Sequence, residues 1–195
     1  TPPESAKNGT KISRGAFRCL YSDVPMKYEY IDDEANAGRM GVRLMAIVAE
    51  GIRGRVYLAP TLEHEAAALM AQPEWKPETP LPDDMRSHWT PPYGLTTYGD
   101  LFTDRQLVAL TTFSDLVGEA IACIKRDAIA AGLPDDGQSL TKVGAGATAY
   151  AEAVGVYLGL VASKQSVFLT SLSRWRSGEG KTAPAFGRQA IAMTW

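Results

Sequence analysis

The 195-residue sequence predicts an α+β fold, with a small N-terminal part rich in β ribbon and hairpin followed by a predominantly α-helical part. Three observations carry that prediction. Two apolar runs near residue 50 are bracketed by glycines, six prolines fall between residues 73 and 93, and beyond residue 100 apolar side chains recur at threes and fours. The expected partition is a β-hairpin-rich region over 1–72 ending in a short helix, a Pro-rich linker over 73–99, and a helical region over 100–195 that stops mid-pattern at its C-terminal end.

Residues 1–15 are polar with Pro, Gly and Lys, and are expected to be a mobile lead-in. From Ala16 to Ile31, Phe17, Tyr21, Val24, Tyr28 and Tyr30 lie among turn formers, which predicts a two-stranded ribbon turning at Ser22–Asp23. Asp32-Asp33-Glu34 follows as a solvated acidic loop. Arg43–Glu50 and Arg55–Ala59 flank Gly51-Ile-Arg-Gly54, so a hairpin with a four-residue loop is expected. A helix over Leu44–Ala49 is the alternative, because Leu, Met and Ala favour one. Pro60 ends the pairing, and Thr61 opens a short helix running to Met70.

Pro73, Pro77, Pro80, Pro82, Pro91 and Pro92 erase any periodicity, the pattern of a linker or a functional excursion. Thr103-Asp-Arg-Gln106 then fits a capping box. Leu107, Leu110, Phe113, Val117, Ile121, Ile124 and Ala128 form one face of a long helix, which Gly132 and Pro134 stop. A second helix is expected after Gly144-Ala-Gly146. Its Ala147, Ala151, Gly155, Gly159 and Ser163 make a row of small side chains that lets another helix approach closely. Tyr150, Val154, Tyr157, Val161, Phe168, Leu172 and Trp175 carry its apolar face onward, past a bend near Ser163.

A hydrophobic fraction of 45% with 22% charged residues is that of a soluble globular chain. No uninterrupted apolar run approaches the roughly 20 residues of a membrane span, and the N-terminus lacks a basic and then apolar leader. A cytoplasmic protein with no membrane partner is expected. Two cysteines, Cys19 and Cys123, are too few for a disulfide framework. Cys123 falls on the apolar side of the long helix and is expected to be a small buried thiol.

The net charge of −2 hides an asymmetry. Residues 62–160 carry a net −8, residues 1–61 a net +2 and residues 161–195 a net +4. Phosphate backbones are attracted to clustered Lys and Arg, so only the two ends of the chain are candidate nucleic-acid surfaces. At the C-terminal end Lys164, Arg174, Trp175, Arg176, Lys181 and Arg188 combine cations with an aromatic ring able to stack on a base. Arg39, Arg43, Arg53 and Arg55 make a second basic set, with Arg53 and Arg55 near a hairpin tip.

Other motifs are weaker. Thr90-Pro-Pro-Tyr93 approximates the Asp/Asn/Ser-Pro-Pro-Tyr of amino-group methyltransferases, where a polar side chain and a prolyl carbonyl hold the target amine of a flipped base. Here Thr stands first and no strand precedes it, so an ordinary turn is expected. Gly144-Ala-Gly146 lacks the preceding strand and the following acidic residue of a nucleotide loop. His64 and His88 have no second metal-ligand or nucleophile partner in the sequence. Asp83-Asp84 and Asp135-Asp136 are expected to be solvated loop carboxylates. The segment is thus expected to hold no catalytic, cofactor-binding or metal residue of its own.

Four blocks carry a further likeness: Gly38-Arg-Met-Gly-Val-Arg-Leu-Met-Ala-Ile-Val-Ala-Glu-Gly51, Arg53-Gly-Arg-Val-Tyr-Leu58, Asp100-Leu-Phe-Thr-Asp-Arg-Gln-Leu107 and Phe186-Gly-Arg-Gln-Ala190. Taken jointly they resemble the central region of the large adenine-specific DNA methylases that contain a zinc-ribbon-like segment. The resemblance implies a parent enzyme dependent on S-adenosylmethionine, with an Asp-Pro-Phe-type cofactor motif before this region and a catalytic Asp-Pro-Pro-Tyr after it. Neither motif occurs here. It further implies a non-catalytic module that contributes to DNA binding or target recognition beside a flanking catalytic domain. The alternative is a structural insertion that packs on that domain without touching DNA. Two departures stand out. Cys19-Leu-Tyr-Ser22 lacks the second thiol of a Cys-x-x-Cys knuckle, and Ser171-Leu-Ser-Arg-Trp-Arg176 matches a usually Cys-containing segment only in part.

Overall fold

The computed structural model describes residues 9–13, 16–84, 86, 88–187 and 190–193. The fold is α+β, with two small antiparallel sheets and short helices preceding two long helices, and a third sheet following them. Strands β1 (Lys11–Ser13), β2 (Ala16–Arg18) and β3 (Pro25–Lys27) form a three-stranded sheet in chain order. The ribbon expected about Ser22–Asp23 is β2–β3, and β1 adds a strand within the stretch expected to be a lead-in. Asp23, at φ +59, turns the chain through the left-handed region that Asp tolerates better than most residues.

The ribbon ends sooner than the aromatic pattern suggests. Tyr28–Asn36 is helix α1, so the acidic triplet Asp32–Glu34 is helical rather than a loop. Tyr28, Ile31 and Ala35 recur at three and four, and no Gly or Pro interrupts them before Gly38, where φ is +69.

Strands β4 (Ile47–Gly51) and β5 (Gly54–Leu58) form the expected hairpin, but its loop is the two residues Ile52 and Arg53 instead of four. Gly51 and Gly54 are themselves the last pair of the ladder. A Cβ on Gly51 would lie 2.8 Å from the Gly54 carbonyl oxygen, and Gly54 has φ +133, so the turn needs glycine at both places. Residues 43–46, expected within the first strand, are irregular. Thr61 caps α2 (Leu62–Leu69), and His64 completes the capping box, its Nδ1 accepting from the Thr61 backbone N–H at 3.1 Å. That contact accounts for one of the two histidines.

Helix α3 (Asp104–Ala130) starts at the predicted box, with Gln106 Oε1 accepting from Thr103 N at 2.9 Å. It ends before Gly132, at φ +92. Helix α4 (Ala147–Ser166) returns against it. Ala147, Ala151 and Gly155 are buried in the seam, and a Cβ on Gly155 would lie 2.5 Å from Ile121 Cδ1. The small row therefore works as the spacing predicts, at least to Gly155. The helix stops at Ser166, however, so Phe168, Leu172 and Trp175 do not continue its face. The chain turns there and delivers Leu172 to the core. Cys123 is exposed rather than buried, because it lies off the stripe of α3 that faces α4.

Asp135 and Asp136 are not free loop carboxylates. Gly146, the N-cap of α4, has no side chain with which to satisfy the helix's first N–H groups. Asp135 does so from the preceding loop, its Oδ1 accepting from Thr148 N at 3.0 Å and Thr148 Oγ1 at 2.7 Å. Lys125 of α3 lies 3.0 Å from its other oxygen. The Thr148 hydrogen bonds foremost, then that of Lys125, hold the Asp135 carboxyl well below the usual range. Asp136 accepts from Gln138 N and Ala145 N.

The core lies where the Pro-rich segment, the start of α3 and the C-terminal segment meet. Leu81, Leu101 and Leu172 are buried there, with Leu95, Phe102 and Phe186 packed around them. One carbonyl ties the pieces together. Leu101 O accepts from Ser171 N at 3.0 Å, Ser171 Oγ at 2.8 Å and Thr170 Oγ1 at 2.5 Å. The Pro-rich stretch is anchored at points, with Leu81 and Thr90 buried, Leu81 N bonded to Thr96 O and Trp89 N to Ile191 O, while much of the rest of it is exposed.

Candidate nucleic-acid interface

The two basic ends of the sequence meet through a pair of ribbons. The first is the β4–β5 hairpin. Its register sets Val48 opposite Tyr57 and Glu50 opposite Arg55, so these four side chains share one face. The second is formed by β6 (Trp175–Arg176) and β7 (Lys181–Thr182), closed by a turn in which Gly180 has φ +59. Ala183 N donates to Arg174 O at 2.7 Å and prolongs this pairing.

Aromatic packing joins the ribbons. The Tyr57 and Trp175 rings stand edge to face, with centroids 6.1 Å apart and planes at 76°. The Arg55 side chain lies against Gly180, its Nη1 being 2.5 Å from where a Cβ would sit. Gly180 therefore serves twice, as the left-handed turn residue and as the gap that admits a guanidinium. Trp175 keeps 39% of its surface exposed, while the neighbouring Arg176–Lys181 pair projects from the other face of its ribbon. Arg53, at the hairpin tip, is exposed next to the fully exposed Ile52.

Glu179 tempers this surface. Lys181 Nζ lies 2.6 Å from its Oε2, and Arg176 Nη1 lies 3.0 Å from its Oε1. The Lys181 and Arg176 hydrogen bonds, in that order, hold the Glu179 carboxyl below its ordinary value. Arg53, Arg55, Arg174, Trp175, Arg176 and Lys181 are thus brought to the paired ribbons. Lys164 sits instead in the last turn of α4, its ammonium 5.9 Å from the centre of the Phe168 ring. Arg188 lies outside the described residues. Arg39 is held by Glu34, through bonds of 2.7 and 2.8 Å, and Arg43 approaches Glu65 at 3.7 Å. Tyr57 was missed in the sequence; its alternation with Arg55 on one face of the strand is the signal that could have found it.

The other motifs serve the fold. Pro91–Tyr93 is a 3-10 turn lying on α1, and Asn36 Nδ2 donates to the Pro92 carbonyl at 2.8 Å. Thr90 is fully buried and its hydroxyl has no partner among the described residues, while burial foremost pushes the Tyr93 phenol up. Around Gly144-Ala-Gly146, a Cβ on Gly146 would lie 2.6 Å from Asp136 N and 2.8 Å from Pro134 O. The Cβ positions of Gly144 and Gly146 are taken up by the chain's own loop.

Cys19 occupies a knuckle-like turn, with its backbone N bonded to Val24 O and its carbonyl accepting from Asp23 N. The hydrogen bond from the Ser22 side chain foremost holds its thiol below the ordinary value. One thiol and a hydroxyl do not fit tetrahedral zinc, and among the described residues no three His, Cys, Asp or Glu side chains are grouped to hold a metal. Set beside family models, curated proteins and solved structures, the chain matches none of them.

Proposed function

We propose that this chain is a DNA-contacting module, and that its surface is the pair of ribbons carrying Arg53, Arg55, Arg174, Trp175, Arg176 and Lys181. The observation that carries the reading is the seating of Arg55 and Tyr57 against Gly180 and Trp175, which brings cations from both ends of the chain onto adjoining ribbons. Arginine forks suit phosphate oxygens. A two-stranded ribbon also has the width that the major groove of B-DNA admits, with Arg53 leading at its tip. In keeping with the motif resemblance, the parent would be an adenine-specific methyltransferase that uses S-adenosylmethionine. A flanking catalytic domain supplies both the cofactor site and the chemistry.

The test is charge reversal. In the double variant Arg174→Glu with Arg176→Glu, duplex DNA affinity falls by at least tenfold and its salt dependence flattens, since each lost phosphate contact removes close to one unit of slope. Affinity equal to that of the unaltered protein at every salt concentration would exclude the reading.

A second reading, packing on a partner domain without DNA contact, is favoured by a different surface. Tyr150, Tyr157 and Leu160 of α4 expose 52%, 72% and 62% of their area.

A further inference from the structure

The tip of the β4–β5 hairpin carries a side chain that the fold does not use. Ile52 is 105% exposed, so it buries nothing in the core. Nor does the turn call for it. Among the described residues the non-glycine positions with positive φ are Asp23 and Val143, so Ile52 and Arg53 keep ordinary backbone angles while Gly54 takes the unusual one, at φ +133. Asn, Asp or Ser would close such a turn and hydrate better. Around Ile52 stand Gly51, Arg53 and Gly54, so its apolar surface is a single branched side chain beside a guanidinium. That is too small for a stable protein interface, which needs about 800 Å² on each partner.

We infer that this tip reads sequence in the major groove, Ile52 packing on the 5-methyl of a thymine and Arg53 donating to N7 and O6 of the guanine beside it. The inference rests on the DNA-contacting reading above and names the residues that give it specificity. The match is chemical. Thymine next to guanine presents one methyl beside two acceptors in the major groove, whereas the minor groove displays no methyl. Reach agrees as well. The tip extends beyond the Glu50–Arg55 pair by about two residues, roughly 7 Å, against a groove about 8.5 Å deep. Arg55, seated against Gly180, is then left at the level of the phosphates, and Glu50, the one carboxylate of the hairpin, stays behind the tip with it. The other cations position the chain on the backbone, and Ile52 and Arg53 specify the bases.

Duplexes selected by the full chain from a random-sequence pool test this. They are expected to share a thymine next to a guanine. In such a duplex, uracil in place of that thymine removes only the methyl and weakens binding about fourfold. Substituting 7-deazaguanine removes the N7 acceptor and weakens it about tenfold. Ile52→Ala abolishes the uracil penalty and keeps the other, Arg53→Ala does the reverse, and Ile52→Val retains both. Circular dichroism is unchanged in all three, since both side chains are exposed. Duplex binding with no shared sequence, or a uracil penalty that persists in Ile52→Ala, overturns this inference and leaves the DNA-contacting reading standing. A chain that binds no duplex at all removes both.

Discussion

Glu179 is the residue that most controls the proposed DNA surface. It lies between Lys181 and Arg176 and draws both cations toward itself. Exposed pairs of this kind contribute little to stability, so Glu179→Gln leaves the thermal midpoint nearly unchanged. Its effect is on binding. With the carboxylate gone, duplex affinity rises several-fold at low salt and the logarithmic salt slope steepens by roughly one unit, which a fluorescence anisotropy titration across salt concentrations measures. The same scale shows what a sequence displays and what it hides. The cations at 53, 55, 174, 176 and 181 are legible as two separate sets, because charge and aromaticity are properties of composition. Their union is not legible, because it rests on Gly180 leaving room for Arg55 across more than a hundred residues of chain.

Among the elements, the α3–α4 hairpin is where spacing and structure agree best. The glycines of α4 make a sharp contrast. Gly155 is filled by Ile121, whereas a Cβ on Gly159 meets nothing within 4 Å. Gly159→Ala should therefore stabilise the protein by about 0.5–1 kcal/mol through helix propensity. Gly155→Val should destabilise it by roughly 1–3 kcal/mol, by forcing Ile121 and α3 away. Urea denaturation of the two variants checks both signs.

Asp135 gives the hairpin a pH dependence. Its carboxyl is depressed in the folded protein, so its contribution is complete above the ordinary carboxylate value near pH 4 and is lost progressively as pH falls below it. Asp135→Asn should lower the thermal midpoint at pH 7 by a few degrees and flatten its decline below about pH 4. The sequence left this role unread, since an aspartate capping a helix thirteen residues away has no local signature. The helix over Tyr28–Asn36 was obscured for another reason: aromatic residues that favour strands happen also to fall at helical spacing.

For the whole molecule, the core is built from segments with little regular structure. Leu81 stands between Pro80 and Pro82, held by its N–H bond to Thr96 O, and Leu172 follows the end of α4, yet both pack on Leu101, whose carbonyl accepts from Thr170 and Ser171 beside Leu172. Periodicity cannot announce such a core, and nothing in the pattern of the Pro-rich stretch marks Leu81 as one of its members. Much of the surface remains apolar. By length and composition α3 would even pass as a membrane span, although its middle turns carry Asp115 and Glu119. The DNA proposal depends on this core only indirectly, through the C-terminal segment that it anchors and that goes on to form β6 and β7.

Hydrogen exchange of the chain with and without duplex DNA, read at each backbone amide, tests the central claim most directly. Protection of residues 52–57 and 175–182 together, abolished by Arg55→Glu, is the predicted footprint. DNA that protects neither ribbon, or only one of them, would contradict a single surface assembled from both ends of the chain.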